Sequence, residues 1–145
     1  MPASAPATRS YVLKARVADP SAAVLTFVDQ KTMYGGKRIA EGDTVYVFDS
    51  EHEGGRGLVL AGVVTGASAT PPGGGARRET PRVSVTLRRT AAATRPLGRT
   101  ELRAFRGGPD DRPETELHFK FYRQATNKIG GISRAAADFL RGFFD

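Results

Sequence analysis

The chain has 145 residues and a mass of 15.5 kDa, the size of one ordinary domain, so two independent hydrophobic cores are not expected. Hydrophobic residues at 39%, charged residues at 26% and a mean hydropathy of -0.35 fit a folded chain better than a disordered one. Cysteine is absent, which excludes disulfide frameworks, thiol catalysis and cysteine-ligated zinc. With His52 and His118 as the two histidines, neither a metal site nor a cofactor is expected.

Twenty-two basic residues against 15 acidic ones leave a formal charge of +7, which favours a polyanionic partner. Most of the cations are arginines, the better bidentate phosphate ligands, although the accompanying wealth of Ala, Gly and Pro points to codon bias as a second source. No stretch approaches the roughly 18 uninterrupted apolar residues of a membrane span, and residues 1–9 lack the apolar core of a secretion signal. A cytoplasmic protein without a membrane partner is the expectation.

Residues 1–9 have no pattern and read as a disordered leader, followed by one domain over 10–145. Tyr11, Leu13, Ala15 and Val17 then alternate with Val12, Lys14 and Arg16, a strand over 11–17. Asp19-Pro20 resembles an N-cap and first helical residue, and Ala23, Val24, Phe27 and Val28 follow at helical spacing, so a short helix to about Asp29 is predicted. Residues 31–38 form a loop or irregular strand. The turn Glu41-Gly42-Asp43 leads into a strand over 44–48, and a second polar turn leads into an apolar strand over 58–64, which together suggest an antiparallel hairpin.

Residues 66–81 contain no large apolar side chain and are predicted to be a flexible loop. A half-buried strand over 82–89 follows, then Thr100 as a cap for a turn holding Leu102 and Phe105. Leu117, Phe119 and Phe121 alternate with His118, Lys120 and Tyr122, which predicts a strand over 117–122. Ser133 is placed to cap a final helix carrying Ala136, Phe139, Leu140 and Phe143 on one face. Five strands with short marginal helices read as α+β, and closure into a small barrel removes exposed edges.

The Gly42-Asp43 hairpin from Glu41 to Ser50, continued by the apolar run from Gly57 to Val64, resembles that of the PUA-like superfamily, in particular its EVE and ASCH branches. The segment from Lys31-Thr32 to Lys37-Arg38 resembles the basic loop before this hairpin in ASCH domains. The resemblance implies a β-pseudobarrel with short flanking helices and a cleft between barrel and helices for RNA, DNA or a modified base or nucleotide. It also implies that Ser50 faces that cleft.

Two clusters carry suitable chemistry independently. In the first, Lys31, Thr32, Tyr34, Lys37 and Arg38 surround Gly35-Gly36: the cations neutralise phosphate, Tyr34 offers a stacking face and the glycines let amides approach an anion. A solvated loop turned by two glycines explains the same residues. In the second, Lys120, Tyr122, Arg123, Gln124, Thr126, Asn127 and Lys128 precede Gly130-Gly131, with Gln124 and Asn127 able to read base edges. A strand end with Asn127 bonding local backbone is the bland alternative. The turn after Ser50 adds Glu51, a candidate acceptor or general base.

The preferred reading is a nucleic-acid or modified-base binding module with a basic cleft. The alternative, which the resemblance supplies, is an ASCH-type amidohydrolase acting on an acylated nucleoside through Lys31, Thr32 and Glu51. Adjacent residues on a strand point to opposite faces, which places Lys31 and Thr32 badly for joint catalysis.

Overall fold

A computed structural model describes residues 9–50, 57–69, 82–103, 112–122 and 128–144. Six strands close into a barrel: β1 (Ser10–Ala15), β2 (Val24–Met33), β3 (Thr44–Asp49), β4 (Gly57–Ala69), β5 (Arg82–Ala92) and β6 (Lys128–Gly131), in the order β1-β3-β4-β5-β2-β6. The pairs β1–β3 and β2–β6 are parallel and the other four antiparallel, including the expected β3–β4 hairpin. A small closed barrel with short flanking helices is the architecture that the hairpin led us to expect.

The alternation in β1 sorts its side chains between two cores. Tyr11, Leu13 and Ala15 point into the barrel with Val45, Val47, Leu60, Val85, Leu87 and Ile129. Val12 faces outward, with Tyr46 and Phe48, beneath the helices α1 (Arg99–Leu102), α2 (Pro113–Leu117) and α3 (Arg134–Arg141), where Leu102, Leu117, Phe121 and Leu140 complete a second core. Because β1 is buried on both faces, the barrel and its helical cover form one body. No helix among the described residues is long and apolar enough to cross a membrane.

Two predicted elements change type. The helix expected after Asp19-Pro20 is instead β2. Asp19 closes a turn, its carboxylate accepting from the Ser21 amide and hydroxyl at 3.0 and 2.6 Å. Leu25 and Phe27 then point inward while Val24, Thr26 and Val28 point outward, so the period of two decides, as the β-branched content favours. Conversely, the strand expected over 117–122 is helical: α2 continues as a π-helical turn, His118–Tyr122. Pro113 at the helix start and Glu114 and Glu116 in its first turn are start signals, and Leu117 and Phe121 meet on one face at i, i+4.

Residues 66–69, expected in a loop, extend β4 against β5, and the sixth strand is the glycine-containing β6 rather than 117–122. Arg99 opens α1, so Thr100 lies within that helix rather than capping it. Residues 1–8 of the expected leader, 70–81 of the expected loop, and Phe105 lie outside the described residues. Ser133 caps α3 as anticipated, its hydroxyl accepting from the Ala136 amide at 3.1 Å.

Candidate nucleic-acid interface

The Gly42-Asp43 pair that marks the hairpin is a structural clamp. Gly42 takes φ 94, and the Asp43 carboxylate accepts from the Ala40 and Arg9 amides at 2.9 and 3.3 Å. Arg9 and Ser10 are thereby held beside the end of β2, where the chain leaves the barrel at Tyr34 and Gly35 with φ 51 and 80 and enters a 3-10 turn, Gly36–Arg38. The two glycine pairs explain this path. A Cβ on Gly36 would run into the Ile129 carbonyl, and one on Gly131 would stand 2.6 Å from the Tyr34 carbonyl oxygen. They allow backbones to touch, a different role from the anion-binding one expected of Gly35-Gly36.

Between this turn and α3 lies an open cleft of about 720 Å³, walled by Arg9, Tyr11, Tyr34, Arg38, Lys120, Arg134, Asp138 and Arg141 among others. Tyr34 stands in it 39% exposed. The Lys120 ammonium is 5.0 Å from the Tyr34 ring centroid, and the Phe119 ring lies at 6.5 Å, tilted by 57°. Lys120 is fixed by hydrogen bonds of 2.9 Å to Glu116 and to the Gly131 carbonyl, while Glu116 also receives the Ser133 amide and hydroxyl. Burial pushes the Glu116 carboxyl up, but these hydrogen bonds and the Lys120 charge outweigh it and hold the group below its ordinary range. Burial raises the Tyr11 phenol against the lowering effect of Arg9. Arg141 pairs with Asp138 at 2.9 Å, whereas no ion pair is found for Arg38 or Arg134 among the described residues.

The predicted ligand residues separate. Tyr34 and Arg38 line the cleft, while Lys37 is exposed outside its lining. Lys31 and Lys128 join Lys14 in one row across β2, β6 and β1. Lys14 and Lys128 are buried in that row and Lys31 is exposed. Ser50 is fully buried beyond the end of β3, its amide bonded to the Ala15 carbonyl at 2.9 Å and its hydroxyl without a hydrogen-bond partner among the described residues. Thr32 is buried, in register with the core residue Ile129, whereas Lys31 lies on the opposite, exposed face, so this pair does not converge. Arg123, Gln124, Asn127 and Glu51 lie outside the described residues.

Arg9, Arg134 and Arg141 escaped the sequence reading. The seven-residue spacing of Arg134 and Arg141 on a capped amphipathic helix was an available signal, since it puts both on one face. Nothing local showed that this face would meet Tyr34. Among the described residues, no cluster of His, Asp and Glu is placed to hold a metal ion.

No protein-family model matches the chain, and no curated protein does. Solved structures do share its fold. A human THYN1 protein, in complex with DNA containing 5-methylcytosine, superposes with a TM-score of 0.62 at 12% identity over 93% of this chain and 96% of that one. The DUF55 domain of human thymocyte nuclear protein 1 gives 0.63 at 13% over 92% and 96%. A Leishmania major protein gives 0.59 at 16% over 93% and 94%. The chain therefore shares with these proteins a PUA-like fold, a closed barrel with a helical cover, and the likeness is one of fold alone.

Proposed function

We propose that this chain is a nucleic-acid binding module, taking RNA or DNA with a modified base or nucleotide as its preferred ligand and without catalysing a reaction. The observation that carries the reading is the cleft between barrel and α3, in which an exposed tyrosine stands among arginines. Guanidinium groups suit phosphate because their forked donors match its oxygens, and an aromatic ring suits a base because every base has a π-face. The human protein of the same fold that is bound to 5-methylcytosine-containing DNA supports the modified-base part. The net charge of +7 supports a polyanion in general.

Fluorescence anisotropy with labelled RNA and DNA, each with and without 5-methylcytosine, tests it. Affinity is expected to fall steeply between low and moderate salt, and Arg38→Gln to reduce the salt slope by about one. Tighter binding of the methylated strand supports the modified-base preference. Absence of binding to every oligonucleotide at low salt overturns the reading.

A further inference from the structure

The helical cover packs on one side of the barrel, over β1, β3 and the start of β4, through Val12, Tyr46, Phe48 and Leu58. Across the ring of strands, the outer face of the antiparallel pair β2–β5 is open among the described residues, with Val24 and Val28 59% and 63% exposed. This face lies outside the cleft between barrel and α3.

Its charges are arranged against stability. Lys31 stands directly opposite Arg82 on β5 and, on its other side, opposite Lys128 on β6. Like charges that face each other across a ladder repel and destabilise the pairing. No ion pair is found for Lys31, Arg82 or Arg88 among the described residues. Arg88, exposed like Lys31 and Arg82, follows six residues along β5, so the three cations mark a strip about 20 Å long. Between them stand the hydroxyls of Thr26, Ser84 and Thr86. Ser84 accepts from the Asp29 amide at 3.0 Å and Thr26 shares a 3.2 Å hydrogen bond with Thr86, which leaves protons to donate outward. The acid on this strip, Asp29, sits in the bulge between Phe27 and Gln30, one carboxylate against three cations.

The repulsion is relieved by a ligand that brings negative charge along the whole strip. A second copy of the chain would set these cations against their own counterparts, and an isolated phosphate would reach one end. A nucleic-acid strand matches the strip, since about 20 Å of a stacked strand carries about six phosphates. Lys31 lies three residues before Tyr34, about 10 Å of extended chain, so the strip begins beside the cleft.

Resting on the nucleic-acid reading above and going past it, we propose that the outer face of β2–β5 is a second, sequence-independent contact surface. The sugar-phosphate backbone of a strand leaving the cleft runs along it from Lys31 and Arg82 to Arg88. Val24 and Val28 meet its sugars.

The test uses the full chain, labelled dT strands of four and sixteen nucleotides, and polyglutamate of matched charge, across a range of salt. The triple variant Lys31→Gln, Arg82→Gln, Arg88→Gln is expected to lower the salt slope on the sixteen-nucleotide strand by about two, and by less than one on the four-nucleotide strand. Arg38→Gln is expected to weaken both strands alike, and Arg112→Gln, on the helical cover, to leave both unchanged as a control for net charge. Thermal melts without nucleic acid add an independent readout: Lys31→Gln is expected to raise the melting temperature by removing the repulsion, whereas a purely structural lysine would lower it. An unchanged slope in the folded triple variant, or equal losses on both strands, overturns the second surface while leaving binding at the cleft intact. Polyglutamate bound as tightly as the sixteen-nucleotide strand, and lost in the triple variant, assigns the strip to an acidic protein and overturns the proposal. Absence of binding to either strand at low salt overturns both readings.

Discussion

Lys14 and Lys128 stand directly opposite each other in the antiparallel β1–β6 ladder, each only 1% exposed. Lys14 donates to the Phe121 carbonyl at 2.9 Å. The Lys128 ammonium lies 5.7 Å from the Phe121 ring centroid and has no hydrogen-bond partner among the described residues, while Lys31 follows it in register on β2. Burial first, and then the charges of Lys14 and Lys31, push Lys128 down to about 8.

This row makes stability depend on pH in the alkaline range. Between about 8 and the ordinary value of 10.5 the unfolded chain binds more protons at Lys128 than the folded one, so its contribution to stability rises with pH across that window. Below it the penalty for the buried charge is fully present. Lys128→Met, which keeps the length of the side chain, is expected to stabilise the protein at pH 7 by on the order of 1 kcal/mol after solvent screening, and to flatten the slope above pH 8. Urea unfolding at pH 7 and 9.5 checks both. A less stable variant at pH 7 would mean that the charge is compensated.

Glu116 ties α2, Lys120 and the start of α3 together, and its carboxyl is held low by those partners. A depressed carboxyl contributes stability above the unfolded value and loses it as pH falls through the folded one. Glu116→Gln is expected to cost about 1 kcal/mol at pH 7 and to weaken the acid dependence. Ser133→Ala, which also removes the helix cap, is expected to cost about 1–2 kcal/mol. Because the two residues touch, a double-mutant cycle should show coupling of about 0.5 kcal/mol or more, and strict additivity would refute the shared network.

Gly36 and Gly66 offer a matched pair. A methyl group on Gly36 collides with the Ile129 carbonyl, so Gly36→Ala is expected to destabilise by about 2 kcal/mol because β6 must move. At Gly66 nothing lies within 4 Å and φ is not positive, so Gly66→Ala should be neutral or slightly stabilising. Melting temperatures of the two variants falling together would show that β6 and the turn after β2 are not tightly opposed.

The strands β1 and β5 were legible from the alternation of their residues, and β3 and β4 as short apolar or β-branched runs between turn signals, as suits strands buried on both faces; the cap at Ser133 was legible because it acts within three residues. Segments 24–33 and 113–122 carry apolar residues compatible with both periods, and their choice came from what they pack against: barrel interior for Leu25 and Phe27, helical cover for Leu117 and Phe121. The first basic cluster was visible in outline, but local sequence holds no information on which of its cations share a cleft. Tyr34 and Arg38 meet Arg134 and Arg141 because β6 runs parallel to β2 and delivers α3 beside the turn at Tyr34, while Lys31 and Lys128 are carried by register to the row with Lys14. Composition and alternation act through nearest neighbours and so determined β1, β3, β4, β5 and the charge; β2, β6 and the cleft depend on pairings with residues far along the chain, some about a hundred positions apart, which only closure of the barrel decides.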